Sequence, residues 1–157
     1  MTQLRVTGID DAIRTVRSAA ERARDLSPIL RVIAEDTKTL VDDSFDQSRS
    51  PSGAPFAPLA PATKARRRKG SSKPLVDTGR LRNSVSASAA GNLLSVGTNV
   101  VYGATHQYGS KRVPARPFLP FAGDPAAPVL EMSGPAGDHW RAVAEQIREY
   151  IITGRIT

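Results

Sequence analysis

Cysteine is absent from the 157-residue chain, histidine occurs twice, and aromatic residues make up only 5%. Without cysteine there is no disulfide framework, no thiolate zinc site and no thiol nucleophile. The two histidines, His106 and His139, cannot by themselves build a histidine-rich metal cage. No apolar run approaches the roughly 18 residues that cross a bilayer. The polar start Met1-Thr2-Gln3 does not read as a secretory signal. With 39% hydrophobic residues, the expected product is a soluble, cytosol-made single domain, residues 1–157, with a small core and little catalytic equipment.

Positive charge is what the chain has in excess. The formal net charge is +7, and its placement is uneven. Between Arg49 and Arg82 nine basic residues face one acid, Asp77, so this stretch carries the whole imbalance and the rest sums to −1. Such a run meets nucleic acid, an anionic membrane or an acidic protein face. The run Lys64-Ala65-Arg66-Arg67-Arg68-Lys69 has no interleaved aromatic residue, so base stacking is not expected. Neutralising phosphates without sequence preference is one reading. A solvated loop that orders against an acidic partner is the other.

Along the chain, Gln3 to Thr7 alternates like a short strand. Ile9, Ala12, Ile13, Val16, Ala19, Ala20 and Ala23 then recur at helical spacing behind Asp10-Asp11, predicting a helix with that face turned inward. Ser27-Pro28 predicts an N-cap and a second helix from Pro28 to Ser44, with Leu30, Ile33, Thr37, Leu40, Val41 and Phe45 inside. Residues 9–45 are thus a bent helix pair or one long helix kinked at the proline. Asp42-Asp43 lies at the unfavourable end of the helix dipole, which suits a basic partner such as the following arm.

Residues 46–76 form that arm. Five prolines (Pro51, Pro55, Pro58, Pro61 and Pro74) exclude a regular helix or a central strand. Phe56 and Leu59 are its large apolar groups before Leu75, so it is expected to dock at two points and stay loose between them. Residues 80–85 read as a helical turn or the entry to a strand. Ser84–Ala89 and Asn92–Thr98 predict a hairpin across Ala90-Gly91. Tyr102, Thr105, His106 and Gly109 suit a short helix, and Pro114, Pro117 and Pro120 force an extended path through Ala115–Leu119. The span 122–137 shows no pattern, and Asp138 is the expected cap of a last helix that turns Trp140, Val143, Ala144, Ile147 and Ile151 inward and ends at Gly154.

Catalytic motifs are not found. There is no Gly-x-Ser-x-Gly elbow, no phosphate-cradling glycine pattern, and no acidic pair with a histidine nearby. No cofactor is expected, and a hydrolase reading has nothing to recommend it.

Several segments in order carry a resemblance. They are Phe45 with Ser50–Leu59; Thr63 with the basic run; Pro74–Ser84, which includes Asp77-Thr78-Gly79-Arg80-Leu81; Val96-Gly97-Thr98; Tyr102–Gly109; and Pro114–Leu119. Over residues 28–121 the chain resembles the phage virion morphogenesis proteins, the tail-completion or neck proteins of Mu-like tailed phages. Family members commonly carry Trp in place of Phe56 and Leu in place of Val76, and both replacements keep an apolar anchor.

The resemblance implies an α+β subunit, with N-terminal helices and a C-terminal helix on a small antiparallel sheet and a long Pro/Arg-rich arm. It also implies a non-enzymatic structural protein of the virion neck, assembled in the host cytoplasm. There it would form a homo-oligomeric ring around the DNA channel and join tail to head. A hexamer matches the sixfold symmetry of tails, and a twelvefold ring would match the portal. Implied neighbours are head-closure, connector or tail-tube proteins, with DNA passing through the ring in non-specific contact and no membrane involved.

On this reading the arm reaches a neighbouring subunit, anchored by Phe56 and Leu59, with Arg66, Arg67, Arg68 and Lys69 on an acidic surface. Arg116 and Phe118 lie in a subunit contact or in a core-closing strand where Arg116 pairs with a carboxylate. Gly79, Tyr102, His106 and Tyr108 are structural, the last three filling space between the short helix and the sheet. The alternative function is nucleic-acid binding through residues 64–73. In either case a thin core with long arms is expected to gain burial by assembly.

Overall fold

Apolar residues every three or four positions make α2 (Ser27–Gln47) the spine of the molecule. Its buried stripe runs Ile29, Leu30, Ile33, Thr37, Val41 and Phe45, as the spacing predicts, with Leu40 half-buried. The computed structural model describes residues 8–67 and 72–156. The expected strand at Gln3–Thr7 lies outside the described residues.

α1 (Ile9–Arg24) ends at Asp25-Leu26, so the bent pair is the form taken. The break is held from both sides. Leu26, not the expected Ser27, takes the N-cap position, and Asp25 Oδ1 accepts the Ser27 N–H at 3.0 Å. Asn92 accepts the Leu26 N–H at 2.9 Å and donates to the Arg24 carbonyl at 3.1 Å, bridging two helix ends that lack intrahelical partners.

β1 (Val85–Ala90) and β2 (Leu93–Thr98) form an antiparallel hairpin, Val85 opposite Thr98, turning at Gly91-Asn92. β1 and β2 both pack on α2. Two apolar clusters result. The first half of α2 meets Trp140, Val143 and Tyr150 of α6 (Gly134–Thr153). The second half meets Phe56, Leu75, Leu81, Val85, Val100 and Phe118, where the Phe45 and Phe118 rings sit 5.4 Å apart and tilted by 47°. The architecture is α+β.

Three differences from the sequence expectations stand out. The apolar face of α1 is not turned inward: no residue of that helix is buried, and Ile9, Ile13 and Val16 are exposed. The span 122–137 contains a second hairpin, β3 (Phe121–Asp124) with β4 (Ala127–Leu130). Its strands carry Gly123 and Pro128, which hide any alternation. α6 begins at Gly134, four residues before the expected Asp138 cap, and Ala144 on it is exposed. Gly134 has φ +53°, and a Cβ there would lie 2.2 Å from the Ser52 carbonyl oxygen, so only glycine lets the helix start this close to the arm.

The arm itself is not a loose tether between two points. Ser50 and Pro51 are buried, Ala136 N–H donates to the Pro51 carbonyl at 2.7 Å, and Phe56 and Leu75 enter the core. A short helix, α3 (Pro61–Arg66), interrupts the extended path. Residues 80–84 form a helical turn, α4 (Arg80–Ser84), and Gly103–Tyr108 forms α5, the expected short helix.

Candidate partner-binding groove

Where the arm doubles back along the α5 region, a groove of about 920 Å³ opens. Its floor and walls come from residues 58–67, 75–81, 102–106 and 112–116. A buried arginine makes it possible. Arg116 is 5% exposed, and its Nε and Nη2 donate to the carbonyls of Ala57 and Pro58 at 2.7 and 2.8 Å. The expected carboxylate partner is therefore replaced by two backbone carbonyls. A proline-rich chain cannot supply ladder hydrogen bonds of its own, and the planar guanidinium spans two successive acceptors.

Arg67 holds the other end of the arm, its Nη1 donating to the carbonyls of Lys73 and, at 2.7 Å, Val76. Arg66 is exposed on the groove rim, while Arg68 and Lys69 lie outside the described residues. Leu59 is half-buried in the groove wall. Phe56 and Phe118, expected as interface contacts or anchors, belong to this chain's own core, Phe118 being fully buried. Within the chain, residues 115–119 run as an extended segment that closes the core.

The expected structural motif is built differently in detail. Tyr102 does not fill space under the sheet; it is exposed and stands edge-on to His106, ring centroids 5.7 Å apart, on the groove. His106 is half-buried, and its Nδ1 is buried with no hydrogen-bond partner. Burial, followed by the charges of Arg116 and Arg67, pulls its pKa below 6.5, so the ring is neutral near pH 7. Burial and then Arg67 likewise lower the pKa of Arg116, which stays charged. Tyr108 is half-buried beside a smaller cleft. Gly79 holds φ +81° as the residue before α4.

Gln107 is the residue that sequence reasoning passed over. Its Oε1 accepts the N–H groups of Phe118 and Leu119, both at 2.9 Å, and its Nε2 donates to the carbonyls of Leu119 and Phe121 at 3.2 and 3.0 Å. One buried amide thus satisfies the backbone of the Pro-rich segment that closes the core. The signal was a polar residue flanked by helix-period glycines, Gly103 and Gly109, which gives no hint of its partners.

Elsewhere the ionisable groups have structural partners. Asp42 pairs with Lys38 at 2.6 Å and lies 3.7 Å from Arg82, while Asp46 takes the two Nη atoms of Arg82 at 2.7 Å each. Of the expected pair Asp42-Asp43, Asp42 finds basic partners, in α4 and within its own helix rather than in the arm. Thr37 Oγ1 lies 2.7 Å from the Ile33 carbonyl oxygen and 3.0 Å from His139 Nε2, tying α2 to α6. Among the described residues no group of three or more His, Asp or Glu is placed to hold a metal ion, and no helix is long and apolar enough to cross a membrane.

The sequence model of the phage virion morphogenesis family matches residues 5–151. The "Mu-like prophage FluMu G protein 2" of Haemophilus influenzae is 28% identical over 138 residues, covering 83% of this chain and 92% of the relative. No solved structure matches.

Proposed function

The chain belongs to the phage virion morphogenesis family, and we propose that it serves as a structural component of the head–tail junction, assembled as a closed ring around the DNA channel. The observation that carries this reading is an apolar face of α1 that the described residues leave uncovered. Ile9, Ile13 and Val16 are 53%, 49% and 69% exposed along one helical stripe, and nothing on that helix is buried. A second exposed apolar patch lies at the second hairpin, on Val129, Leu130 and the following Met132. Contiguous exposed apolar surface of this kind is characteristic of protein–protein contact. A closed ring needs two different patches that meet, one from each neighbour, and these two elements supply them.

A hexamer is the expected ring, with a twelvefold ring as the variant that would match a portal. Head-closure, connector or tail-tube proteins are the proposed neighbours. Size-exclusion chromatography with light scattering, followed by negative-stain imaging of the full chain, tests the ring. Closed particles of six or twelve copies support it, and a monomer that never enters virions overturns it. Lys64→Ser together with Arg66→Ser is expected to give tail-less heads or free tails. Loss of DNA affinity with intact head–tail joining would instead favour nucleic-acid binding through residues 64–73.

A further inference from the structure

The groove between the arm and the α5 region carries a positive charge that the described residues do not balance. Arg66, Arg67, Arg80, Arg112 and Arg116 line it, against the single carboxylate of Asp77. Four arginines elsewhere find carboxylates: Arg14 with Asp11, Arg82 with Asp46, Arg141 with Asp138, and Arg148 with Glu145. Among the described residues none of the five groove arginines forms such a pair. Arg116 is buried and meets only backbone carbonyls, where an unbalanced charge is costly. Arg67 is near enough to Arg116 and His106 to lower the pKa of both. An anion between these groups would relieve that repulsion.

The walls decide what kind of anion. Leu59, Leu75, Val113 and Pro114 give the groove apolar flanks between the guanidinium groups. A polyphosphate backbone would bury those flanks against charge. Among the described residues the groove's aromatic rings, Tyr102 and His106, stand edge-on to each other, so they present no flat stacking platform for successive bases. A polypeptide with carboxylates and apolar side chains in alternation matches both features, and about 920 Å³ admits a few residues of extended chain.

We propose that this groove is a docking site for an acidic, extended peptide segment of a partner protein, its carboxylates held by the groove arginines and its apolar side chains seated against Leu59 and Val113. The inference needs only the groove, so it stands or falls separately from ring formation.

Fluorescence anisotropy with the full chain tests it. The probes are a labelled octapeptide of alternating Glu and Leu, the matching Lys and Leu peptide, and a labelled single-stranded DNA of eight nucleotides. The Glu/Leu peptide is expected to bind most tightly and to weaken as salt rises. Arg80→Glu with Arg112→Glu, two exposed residues whose hydrogen bonds among the described residues come from the backbone N–H, should weaken it at least tenfold while far-UV circular dichroism and the urea midpoint stay unchanged. Arg31→Glu, outside the groove, should leave binding intact. No binding of the Glu/Leu peptide, equal binding of the Lys/Leu peptide, or insensitivity to the groove variants would overturn the proposal. So would tighter, variant-sensitive binding of the DNA, which would make the groove a phosphate site. Self-association abolished by the same double variant would also overturn it, assigning the groove to a second copy.

Discussion

The arm and the first helix present opposite relations between pattern and burial. The arm, residues 46–76, has five prolines and no periodicity, yet Pro51, Phe56 and Leu75 are buried and two arginines grip its backbone. α1 has a clean apolar stripe and buries none of it. Its attachments are polar: Arg22 donates to the carbonyls of Ile151 and Ile152 at 2.8 Å each, capping the end of α6, and Asn92 donates to the Arg24 carbonyl. Periodicity says which atoms would share a face. Whether that face is covered depends on what else is within reach. Proline, for its part, lowers the entropy lost on ordering an extended segment, so a proline-rich stretch packs well once its carbonyls find donors.

The largest effect should come from the core that the arm helps to build. Phe118→Ala opens a cavity beside Phe45 and is expected to cost about 3–5 kcal/mol, read as a lower urea midpoint; a change under 1 kcal/mol would mean that the arm side is not cooperative with α2. Arg116→Ala should cost about 2–3 kcal/mol, the worth of hydrogen bonds to a charged donor. It should also speed proteolysis within residues 57–67, with Arg116→Lys recovering little because an ammonium cannot span both carbonyls. Unchanged proteolysis would show that the arm is held by its apolar anchors alone.

Acid should act on the packed regions next. His106 and His139 are both held neutral chiefly by burial, which lowers their pKa values below 6.5. The unfolded chain binds protons that the folded chain refuses, so stability is fully present above about pH 6.5 and declines as the pH falls below it. Denaturant midpoints at pH 7.5 and 5.5 should differ in that direction, and His106→Gln should flatten the slope. A rise in stability on acidification would refute the assignment. The smallest effect on the isolated chain belongs to α1: Ile13→Ser with Val16→Ser should change its stability by no more than about 0.5 kcal/mol. The same change should abolish assembly into particles. A large loss of monomer stability would show that the stripe is covered within the chain after all.

Much of this was legible in the order of residues. The inner stripe of α2, the Ser/Ala hairpin, the short helix at 103–108 and the extended path through Pro114–Leu119 follow from spacing, turn residues and the geometry of proline, all of which act over a few positions. Local rules also marked Phe56 as an anchor. They missed the hairpin at 121–130, because four-residue strands with a proline and a glycine have no readable alternation.

Long-range partners were decided only by the tertiary structure. Arg116 finds carbonyls 58 and 59 residues away, Gln107 closes the segment before the second hairpin, and Asn92 bridges the helix break from 66 residues downstream. Hydrogen-bonding groups such as these are promiscuous: a guanidinium or an amide accepts many partners, and its sequence neighbours do not say which one folding brings near. Apolar periodicity, by contrast, carries its own geometry. The sequence by itself therefore determined the helices outside the arm, the first hairpin and the surplus of positive charge, but not α3. Tertiary packing decided that the surplus would gather around one apolar groove and that the stripe of α1 would face outward.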